Sequence, residues 1–363
     1  MPSRRRPRAG LVRVLAAAAL CALNAAAQCV SHAPHTLSTV CDSLCAANAP
    51  CLAFNASITS SGGCDISDGS CVTEGTQQCA FLCFDDAAYD QSFVFLVGFG
   101  AYESAAELAA RKSDDERFAA AVAALPNGTD AFASVSNDDV TTISTLELAA
   151  TTTQFTLAGG SSATYSVQSK VAKVSFLYGA LTNQAQLTSV TLRNLDLSDD
   201  ATLGALATAL PTSIHNLTLA NAVISDFPVA LLTNFSQLAT LNLDLNDLVG
   251  IAGTDALLGL QQLSVRNNSL QVFRAVFPHL QTLHLEHNNL TDIPAAVFVH
   301  GELSELYLKG NPLSTPAFTT DEVTFLASLT VLDLSNSDFA SPPKCCATAQ
   351  RAVHNLTRQH RGS

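Results

Sequence analysis

The sequence is poor in basic residues and lacks the short motifs of the common catalytic sites. Its 363 residues include 18 Lys and Arg against 31 Asp and Glu, which gives a formal net charge of −13 at pH 7. A chain this acidic is a poor partner for nucleic acid or for an anionic membrane surface, and a neutral or cationic ligand fits it better. No Gly-rich phosphate loop, His-Glu-x-x-His or Gly-x-Ser-x-Gly sequence occurs. We therefore predict no enzyme activity, no cofactor and no metal.

Long apolar runs are also lacking. After residue 27 no stretch approaches the roughly 20 uninterrupted apolar residues of a membrane-spanning helix, and the tail from Arg358 to Ser363 has no hydrophobic lipid-anchor signal. Residues 1–27 combine a basic start, an apolar run from Leu15 to Leu23 and small residues at 25–27. This order is typical of a secretory signal peptide. An uncleaved anchor is the alternative, but the run is short for a bilayer. We expect a soluble product that is secreted to the extracellular space.

The eleven cysteines are unevenly distributed. Cys21 lies in the leader, and eight others crowd into residues 28–95, which are rich in Gly, Ser, Asn and Asp. In an exported chain this density predicts a small disulfide-rich module over 28–95. Zinc is the alternative, because Cys41-x3-Cys45 and Cys79-x3-Cys83 each offer a pair of thiolates. The disulfide candidates, whose pairing stays open, are Cys29, Cys41, Cys45, Cys51, Cys64, Cys71, Cys79, Cys83, Cys345 and Cys346.

The stretch from Leu238 to Leu313 repeats one pattern four times. Each copy places apolar residues at offsets 0, 3, 5 and 10 and an asparagine at offset 8. Apolar residues two apart predict a short strand with one buried face, and an asparagine at the following turn can bond backbone groups that the turn leaves unpaired. No copy can bury its leucines alone, so the copies must stack with parallel strands. The predicted asparagine ladder comprises Asn246, Asn268, Asn288 and Asn311.

This pattern resembles the leucine-rich-repeat (LRR) family. Extended in both directions it gives seven copies over residues 187–341, which start at residues 187, 214, 238, 260, 280, 303 and 329. These spacings suit a family whose repeats span roughly 20–29 residues. Leu195 and Ala222 depart from the pattern, since they occupy the asparagine position of the first two copies. The resemblance implies an α/β fold, a horseshoe-shaped solenoid with a concave parallel β-sheet. The order of parts is similar to the ectodomains of LRR receptor-like kinases, without their transmembrane segment or kinase.

The flanks of the repeats are less regular. The apolar stretch that begins at Ser92 predicts a buried strand that closes the cysteine module. Residues 96–139 are predicted to be a connecting segment, mainly helical, because two Ser-x-x-Glu sequences there have the form of a capping box. Residues 140–186 contain only fragments of the strand pattern, which predicts an irregular set of N-terminal repeats or a cap. Residues 342–363 are predicted to cap the last repeat. The adjacent Cys345 and Cys346 are free, bridge elsewhere or cross-link a second chain.

Outward strand positions form the concave face in such a coil. In the later copies they mix charges with an aromatic residue, and aromatic and arginine side chains carry much of the energy at interfaces. The resemblance therefore implies recognition of a protein, peptide or glycan ligand on this face. Alternatively, these residues are only the solvated side of a sheet. The predicted ligand-binding residues are Asp244, Arg266, His284, Glu286, Glu305, Tyr307, Lys309 and Asp333.

Seven asparagines carry the sequon for N-glycosylation. They are Asn55, Asn127, Asn216, Asn234, Asn267, Asn289 and Asn355. Asn216 is also a concave-face position, so a glycan there would obstruct the early repeats and leave the later ones open. Two other functions stay open: an adhesive or cell-wall-associated structural glycoprotein, and a hydrolase within the cysteine-rich module. The sequence leaves the ligand and the oligomeric state undetermined.

Overall fold

The structure, a computed structural model of the full chain, describes residues 36–39, 51–55, 71–74, 77–83, 91–97, 140–160, 171–252, 257–314 and 318–337. Short strands predominate among them. The first ten are β1 (Thr36–Ser38), β2 (Cys51–Asn55), β3 (Cys71–Glu74), β4 (Gln77–Cys83), β5 (Ser92–Val97), β6 (Thr141–Ile143), β7 (Gln154–Gly159), β8 (Ala172–Phe176), β9 (Ser189–Arg193) and β10 (Leu195–Asp196). The other eight are β11 (Asn216–Ala220), β12 (Thr240–Asn242), β13 (Gly250–Ile251), β14 (Gln262–Ser264), β15 (Val272–Phe273), β16 (Thr282–His284), β17 (Glu305–Tyr307) and β18 (Val331–Asp333).

The largest sheet has nine strands in the order β18-β17-β16-β14-β12-β11-β9-β7-β5. All of its neighbouring strands are parallel. Each of the seven strands from β9 to β18 in this sheet begins two residues after a predicted repeat start. Since each strand pairs with the strand of the next repeat, the chain coils. The predicted solenoid with a parallel sheet is confirmed.

Two columns of apolar side chains run along the inner face of this sheet, and the second, which includes Phe95, Leu157, Leu192 and Leu219, lies two residues further along each strand. The first column follows the strand register and consists of Phe93, Phe155, Val190, Leu217, Leu241, Leu263, Leu283, Leu306 and Leu332. None of these side chains is more than 7% exposed. Burying a side chain of this size contributes about 1.5–3 kcal/mol, so the column is the main reason why the repeats stack.

Strands of a second sheet lie on another side of the coil at its N-terminal end. This sheet has seven strands in the order β10-β8-β6-β1-β2-β4-β3. Along the chain, β6, β8 and β10 alternate with β5, β7 and β9 of the large sheet, so each turn of the coil carries two strands. The separation of only 16 residues in sequence between Val171 and Leu187 therefore corresponds to half a turn of the coil. This is why residues 140–186 match the repeat pattern only in fragments.

The strand at residues 92–97 does not close the cysteine module, and that prediction is wrong. Strand β5 pairs with β7 in parallel over its whole length and forms the end of the large sheet. Its alternating Phe93, Phe95 and Val97 are buried in the core of the coil, and the Phe93 ring stacks on Phe155 with centroids 5.5 Å apart. The apolar alternation belongs to the repeat core, so the predicted boundary at residue 95 falls inside a strand.

The cysteine-bearing strands β2, β3 and β4 are antiparallel to one another. They join the coil through β1, which pairs with β2 on one side and with β6 on the other. Cys51 is buried and disulfide-bonded. The side chains of the other nine candidate cysteines lie outside the described residues, as do the predicted leader at 1–27, most of the connecting segment at 96–139 and the predicted C-terminal cap at 342–363.

Short helices connect some of the strands. They are α1 (Asp200–Ala209), α2 (Val229–Leu232), a 3-10 helix at Ala295–Val299 and α3 (Thr320–Ser328). Helix α3 begins with a capping box, in which the Thr319 hydroxyl accepts from the Glu322 N–H and the Glu322 carboxylate accepts from the Thr319 N–H. Such caps stabilise a helix by about 1 kcal/mol. Within the described ranges, no helix has the length and apolar character needed to cross a membrane.

The four asparagines of the predicted ladder are buried, with side chains that bond the backbone of two successive repeats. Asn288 is representative. Its Nδ2 donates to the carbonyl oxygens of Val265, Leu285 and Glu286 at 2.9, 3.0 and 3.3 Å, and its Oδ1 accepts from the Leu270 N–H at 3.0 Å. Asn246, Asn268 and Asn311 make equivalent bonds. The turns after the strands are thus held by hydrogen bonds from these side chains.

The residue before the ladder position has a positive φ in all seven repeats. These residues are Asn194, Asn221, Leu245, Asn267, His287, Gly310 and Asn336, with φ between 49° and 71°. Asparagine and glycine tolerate this region better than other residues, which explains their frequency at this position. Three repeats lack the ladder asparagine, with Leu195, Ala222 and Ser337 in its place. In the first two of them, Asn194 and Asn221 compensate in part. The Asn194 amide donates to the Gly159 carbonyl, and Asn221 donates to Asn194 Oδ1.

His300 is a polar residue inside the core. It is 1% exposed, its Nε2 accepts from the Phe277 N–H at 3.1 Å, and its ring lies 6.3 Å from the rings of Phe273 and Phe277. Burial lowers the pKa of His300 below its ordinary value of 6.5, and the Ala296 and Val297 carbonyls oppose this in part. The imidazole is therefore neutral at pH 7, and protonation would remove the bond from Phe277.

We expect His300 to make the fold sensitive to acid. Because the folded pKa is depressed, the unfolded chain binds more protons below pH 6.5. The contribution of neutral His300 is thus complete above pH 6.5 and is lost as the pH falls toward the folded pKa. Urea unfolding at pH 7.5 and pH 5.0 measures this: the wild type should lose more stability on acidification than His300→Gln, whose amide does not titrate. Equal losses in the two proteins would show that His300 does not titrate on unfolding.

Candidate functional site

The residues that alternate with the buried columns lie on the opposite face of the large sheet, which we call the polar sheet face. In the last five repeats it comprises Thr240, Asn242, Asp244, Gln262, Ser264, Arg266, Thr282, His284, Glu286, Glu305, Tyr307, Lys309, Val331, Asp333 and Ser335. All eight predicted ligand-binding residues are among them, and each is partly exposed. The parallel register brings residues from strands 20–26 positions apart in the chain side by side.

Asp244 is held firmly at one side of this surface. Its Oδ1 accepts from the Ser264 hydroxyl at 2.6 Å and from the Arg266 N–H at 2.8 Å, and its Oδ2 accepts from the Asn242 amide at 3.2 Å. These bonds satisfy most of the carboxylate. Asp244 is therefore a fixed part of the sheet surface. Ser264 and Asn242 were not in the predicted binding set, although their outward positions next to Asp244 were visible in the repeat pattern.

Glu286 links two neighbouring repeats. Its Oε1 lies 3.0 Å from His284 Nδ1 and 3.4 Å from Arg266 Nε. The contact with Arg266 is an ion pair that is poorly directed for a hydrogen bond, because Nε has no hydrogen-bond partner among the described residues. The Glu286 side chain is only 12% exposed, and its Oε2 also has no hydrogen-bond partner in the described part of the chain. A buried acceptor of this kind is costly unless something bonds it.

His284 and Tyr307 form a stacked pair at the centre of the polar sheet face. Their ring centroids lie 4.3 Å apart with planes 14° from parallel. Both rings are also fixed within their own strands, since His284 contacts Glu286 and the Tyr307 hydroxyl donates to Glu305 Oε2 at 3.2 Å. Rings ordered in this way lose little conformational entropy when a partner binds, which favours them as contact residues.

The surroundings of Tyr307 are acidic. Burial raises the pKa of the Tyr307 phenol above its ordinary value of 10.0, the Glu305 and Glu286 carboxylates add to this rise, and Arg266 opposes it. The phenol is therefore neutral at pH 7. Of the eight predicted residues, Asp244, Glu286, Glu305 and Asp333 carry negative charge against Arg266 and Lys309. With neutral histidine, this part of the face has a net charge of −2.

Lys309 and Asp333 extend the site toward the last repeat. Asp333 is the register partner of Tyr307, and its Oδ1 accepts from the Ser335 N–H at 2.9 Å. In the described part of the chain, Lys309 has no ion-pair partner and Asp333 has none either. These two charges are thus more available to a partner molecule than those of Asp244 or Arg266.

Four of the seven sequon asparagines, Asn216, Asn234, Asn267 and Asn289, are described, and all four are exposed. Asn216 is the first residue of β11 and lies on the same side of the sheet as the polar sheet face. The side chains of Asn55, Asn127 and Asn355 lie outside the described residues. Within the described ranges there is no group of three or more His, Cys, Asp or Glu that could hold a metal ion.

Comparison with known proteins gives one family match. Residues 278–339 match the family model described as leucine rich repeat. This segment contains strands β16, β17 and β18 and therefore most of the predicted binding residues. No curated protein sequence shows a significant match to this chain.

Three solved structures are similar to part of this chain. An LRR protein of Leptospira interrogans is 24% identical, with a TM-score of 0.45, over 57% of this chain and 49% of that one. An internalin (inlF) of Listeria monocytogenes is 17% identical, with a TM-score of 0.39, over 56% of this chain and 61% of that one. Internalin C2 of the same species is 24% identical, with a TM-score of 0.35, over 52% and 70%. The alignment thus spans about half the length of the Leptospira protein.

Proposed function

We propose that this chain, which is built from leucine-rich repeats, is an exported recognition protein that binds another protein through the polar sheet face of its last repeats. The observation that carries the proposal is the network in which Glu286 contacts Arg266 and His284 while His284 stacks on Tyr307. These side chains come from three successive repeats. Their mutual contacts fix them before any partner arrives, which reduces the entropic cost of binding.

A protein fits this surface better than a small molecule does. The polar sheet face is an open sheet that spans several strands, whereas small ligands usually require a concave pocket that buries most of their surface. Aromatic residues and arginine at the centre, with charged residues around them, match the composition of protein interfaces. The leucine-rich-repeat fold also favours a protein-binding role in general. We therefore propose binding rather than catalysis as the activity.

Export is a further part of the proposal. It is supported by the leader-like sequence of residues 1–27, by the disulfide at Cys51 and by the exposure of four sequon asparagines. Disulfides persist mainly in oxidising compartments, so the bonded Cys51 favours an extracellular location over a reducing one. A glycan on Asn216 would cover the early strands. It would leave the strands that carry His284 and Tyr307 accessible, so glycosylation and binding are compatible on this face.

The proposal predicts that changing Glu286, Tyr307 and Lys309 together to alanine lowers affinity for the partner at least 100-fold, or about 2.7 kcal/mol. The purified, glycosylated protein is immobilised and used to capture proteins from an extracellular extract. The affinity of the main captured protein is then measured by surface plasmon resonance for the wild type and for the triple variant. Central aromatic and charged residues of an interface typically cost this much when truncated.

A matched variant tests whether the loss is specific. Replacing the exposed residues Gln271, Val299 and Glu302, which lie outside the polar sheet face, with alanine should leave the affinity unchanged. Both triple variants should unfold at temperatures close to that of the wild type. If the captured protein binds the first triple variant as tightly as the wild type, the binding site lies elsewhere. A glycan-binding contaminant is captured only through a glycan of this chain. The unglycosylated protein would not capture it, which identifies it as a contaminant.

A further inference from the structure

The stacked pair His284–Tyr307 continues a row of side chains that ends in a much smaller residue. Along the register of the sheet this row is Ser264, His284, Tyr307 and Asp333. Neighbouring strands lie about 4.8 Å apart, which is close to the 4.3 Å between the two ring centroids. His284 therefore covers one face of Tyr307. At the next position the short side chain of Asp333 cannot cover the other face as a ring would.

The space beyond Tyr307 is bordered by groups of complementary kinds. Asp333 lies beside it, and Asp333 Oδ2 accepts no hydrogen bond from any described residue. Val331, on the same strand as Asp333, is partly exposed and adds an apolar contact, and Glu305 lies next to Val331 in the register. The site thus combines an aromatic face, an available carboxylate oxygen, an apolar side chain and a second carboxylate.

The charge around this space selects a cation. Glu305 and Asp333 border it, and Lys309, two residues beyond Tyr307 on the same face, offsets one of these two charges. Glu286 is already paired with Arg266, so the surroundings keep a net charge of −1. An arginine side chain matches all of the groups. Its planar guanidinium stacks on aromatic faces, its N–H fork binds carboxylates, and its methylene stem packs on apolar groups. Lysine offers only a point charge that is strongly hydrated, so it uses the aromatic face less well.

We propose that the space between Tyr307 and Asp333 is a binding slot for an arginine side chain of the partner protein. The guanidinium stacks on the face of Tyr307 that is opposite His284 and donates to the Asp333 carboxylate, while the stem lies along Val331. This inference rests on the proposed function, since it names the chemistry by which the polar sheet face selects its partner. The strong negative charge of the whole chain, −13, attracts such a partner from a distance.

The slot can be tested with a small probe. The protein, with its five tyrosines isotopically labelled, is titrated with N-acetyl-arginine methylamide while the Tyr307 ring signals are followed by NMR. The ring signals are assigned with Tyr307→Phe. We expect the arginine probe to shift the Tyr307 signals. We also expect it to bind at least tenfold more tightly than the citrulline analogue, which has nearly the same shape but no charge, and more tightly than the lysine analogue.

The variant Asp333→Asn isolates the carboxylate. Asparagine keeps a carbonyl oxygen to accept the Ser335 N–H, so the turn should fold normally, which a thermal melt checks. The preference for arginine over citrulline should fall sharply in this variant, to what Glu305 and the Tyr307 ring alone supply. Asp247→Asn is the matched control, because Asp247 is exposed and lies outside the polar sheet face. Equal binding of arginine and citrulline by the wild type would overturn the proposal. An undiminished preference in Asp333→Asn, or equal binding of the lysine analogue, would also overturn it.

The two proposals fail in different ways. If the arginine probe shows no preference but the Glu286, Tyr307 and Lys309 triple variant loses its captured partner, the polar sheet face binds a protein by other contacts and the arginine slot is wrong. If the triple variant keeps its partner, the proposed function itself is wrong. Binding of the probe at Tyr307 would then show a slot that the captured partner does not use.

Discussion

Replacing Asn288 with alanine is expected to lower the free energy of unfolding by about 3 kcal/mol or more. The side chain donates to three carbonyls and accepts from the Leu270 N–H, and all of these groups are in the buried turn region. Alanine leaves them without partners, and each unsatisfied buried group costs about 1–3 kcal/mol. Water that enters the space would recover part of this loss. Urea unfolding followed by circular dichroism measures the difference.

The matched control for Asn288 is Gln281→Ala in the same repeat. Gln281 also carries an amide side chain, but it is exposed. Surface substitutions of this kind usually change stability by less than about 0.5 kcal/mol. If the two variants unfold at the same urea concentration, the ladder does not contribute to stability beyond what water would supply. The turns would then be held by the strand hydrogen bonds alone.

Gly159→Ala should destabilise the N-terminal end of the coil by about 1–3 kcal/mol, because over-packing against backbone forces the chain to move. A Cβ at this position would overlap the carbonyl oxygen of Asn194 and lie 3.1 Å from Ala172 Cβ. That carbonyl also accepts from the Ala172 N–H at 2.9 Å, and the Asn194 amide donates back to the Gly159 carbonyl. The two turns of the coil therefore touch through backbone here, and thermal unfolding of the purified variant measures the loss.

Gly204→Ala supplies the opposite control. Gly204 lies in helix α1, and a Cβ there meets nothing within 4 Å. Alanine should raise the stability by about 0.5–1 kcal/mol, since glycine is unfavourable inside a helix. A Gly159→Ala protein as stable as the wild type would mean that β7 and the Asn194 turn do not lie as close together as the structure shows.

The regular repeats could be predicted from the sequence because two signals coincide in each of them. In the repeat that begins at Leu280, the pattern of Leu283 and Leu285 sets the strand, and Asn288 marks the turn. Each signal is local, so a single sequence is enough to read it. Successive side chains of a strand point to opposite faces, so the same pattern also identified the outward residues. This is why all eight predicted binding residues lie on one face.

The N-terminal end was harder for a physical reason. Strands β6, β8 and β10 lie on a second side of the coil, so two strand patterns alternate along the chain and break the single period. Strand β5 pairs with β7, which is 62 residues further along the chain, and no local signal encodes that pairing. Likewise, the contacts His284–Tyr307 and Arg266–Glu286 join different strands. Their residues were predicted to share a face, but their pairing depends on the rotamers that the structure provides.

The residues with positive φ provide a further sequence signal for the turn of each repeat. The residue before the ladder position is Asn in four of the seven repeats and Gly in one. Leu245 and His287 occupy the same conformation, at a cost of about 1–2 kcal/mol for an ordinary side chain. In the first two repeats this position supplies Asn194 and Asn221, which partly replace the missing ladder residues. Asparagines at offset 7 therefore indicate the turn of a repeat, as those at offset 8 do.

Site-specific photo-crosslinking tests the central claim most directly. Benzoylphenylalanine is placed either at Gln262, an exposed residue of the polar sheet face, or at Tyr178, which is 88% exposed and follows strand β8 of the second sheet. Each protein is irradiated with the main partner captured from the extracellular extract. We predict that the partner cross-links from position 262 and not from position 178. Cross-linking from position 178 alone would contradict the account, because the partner would then bind the molecule away from its large parallel sheet.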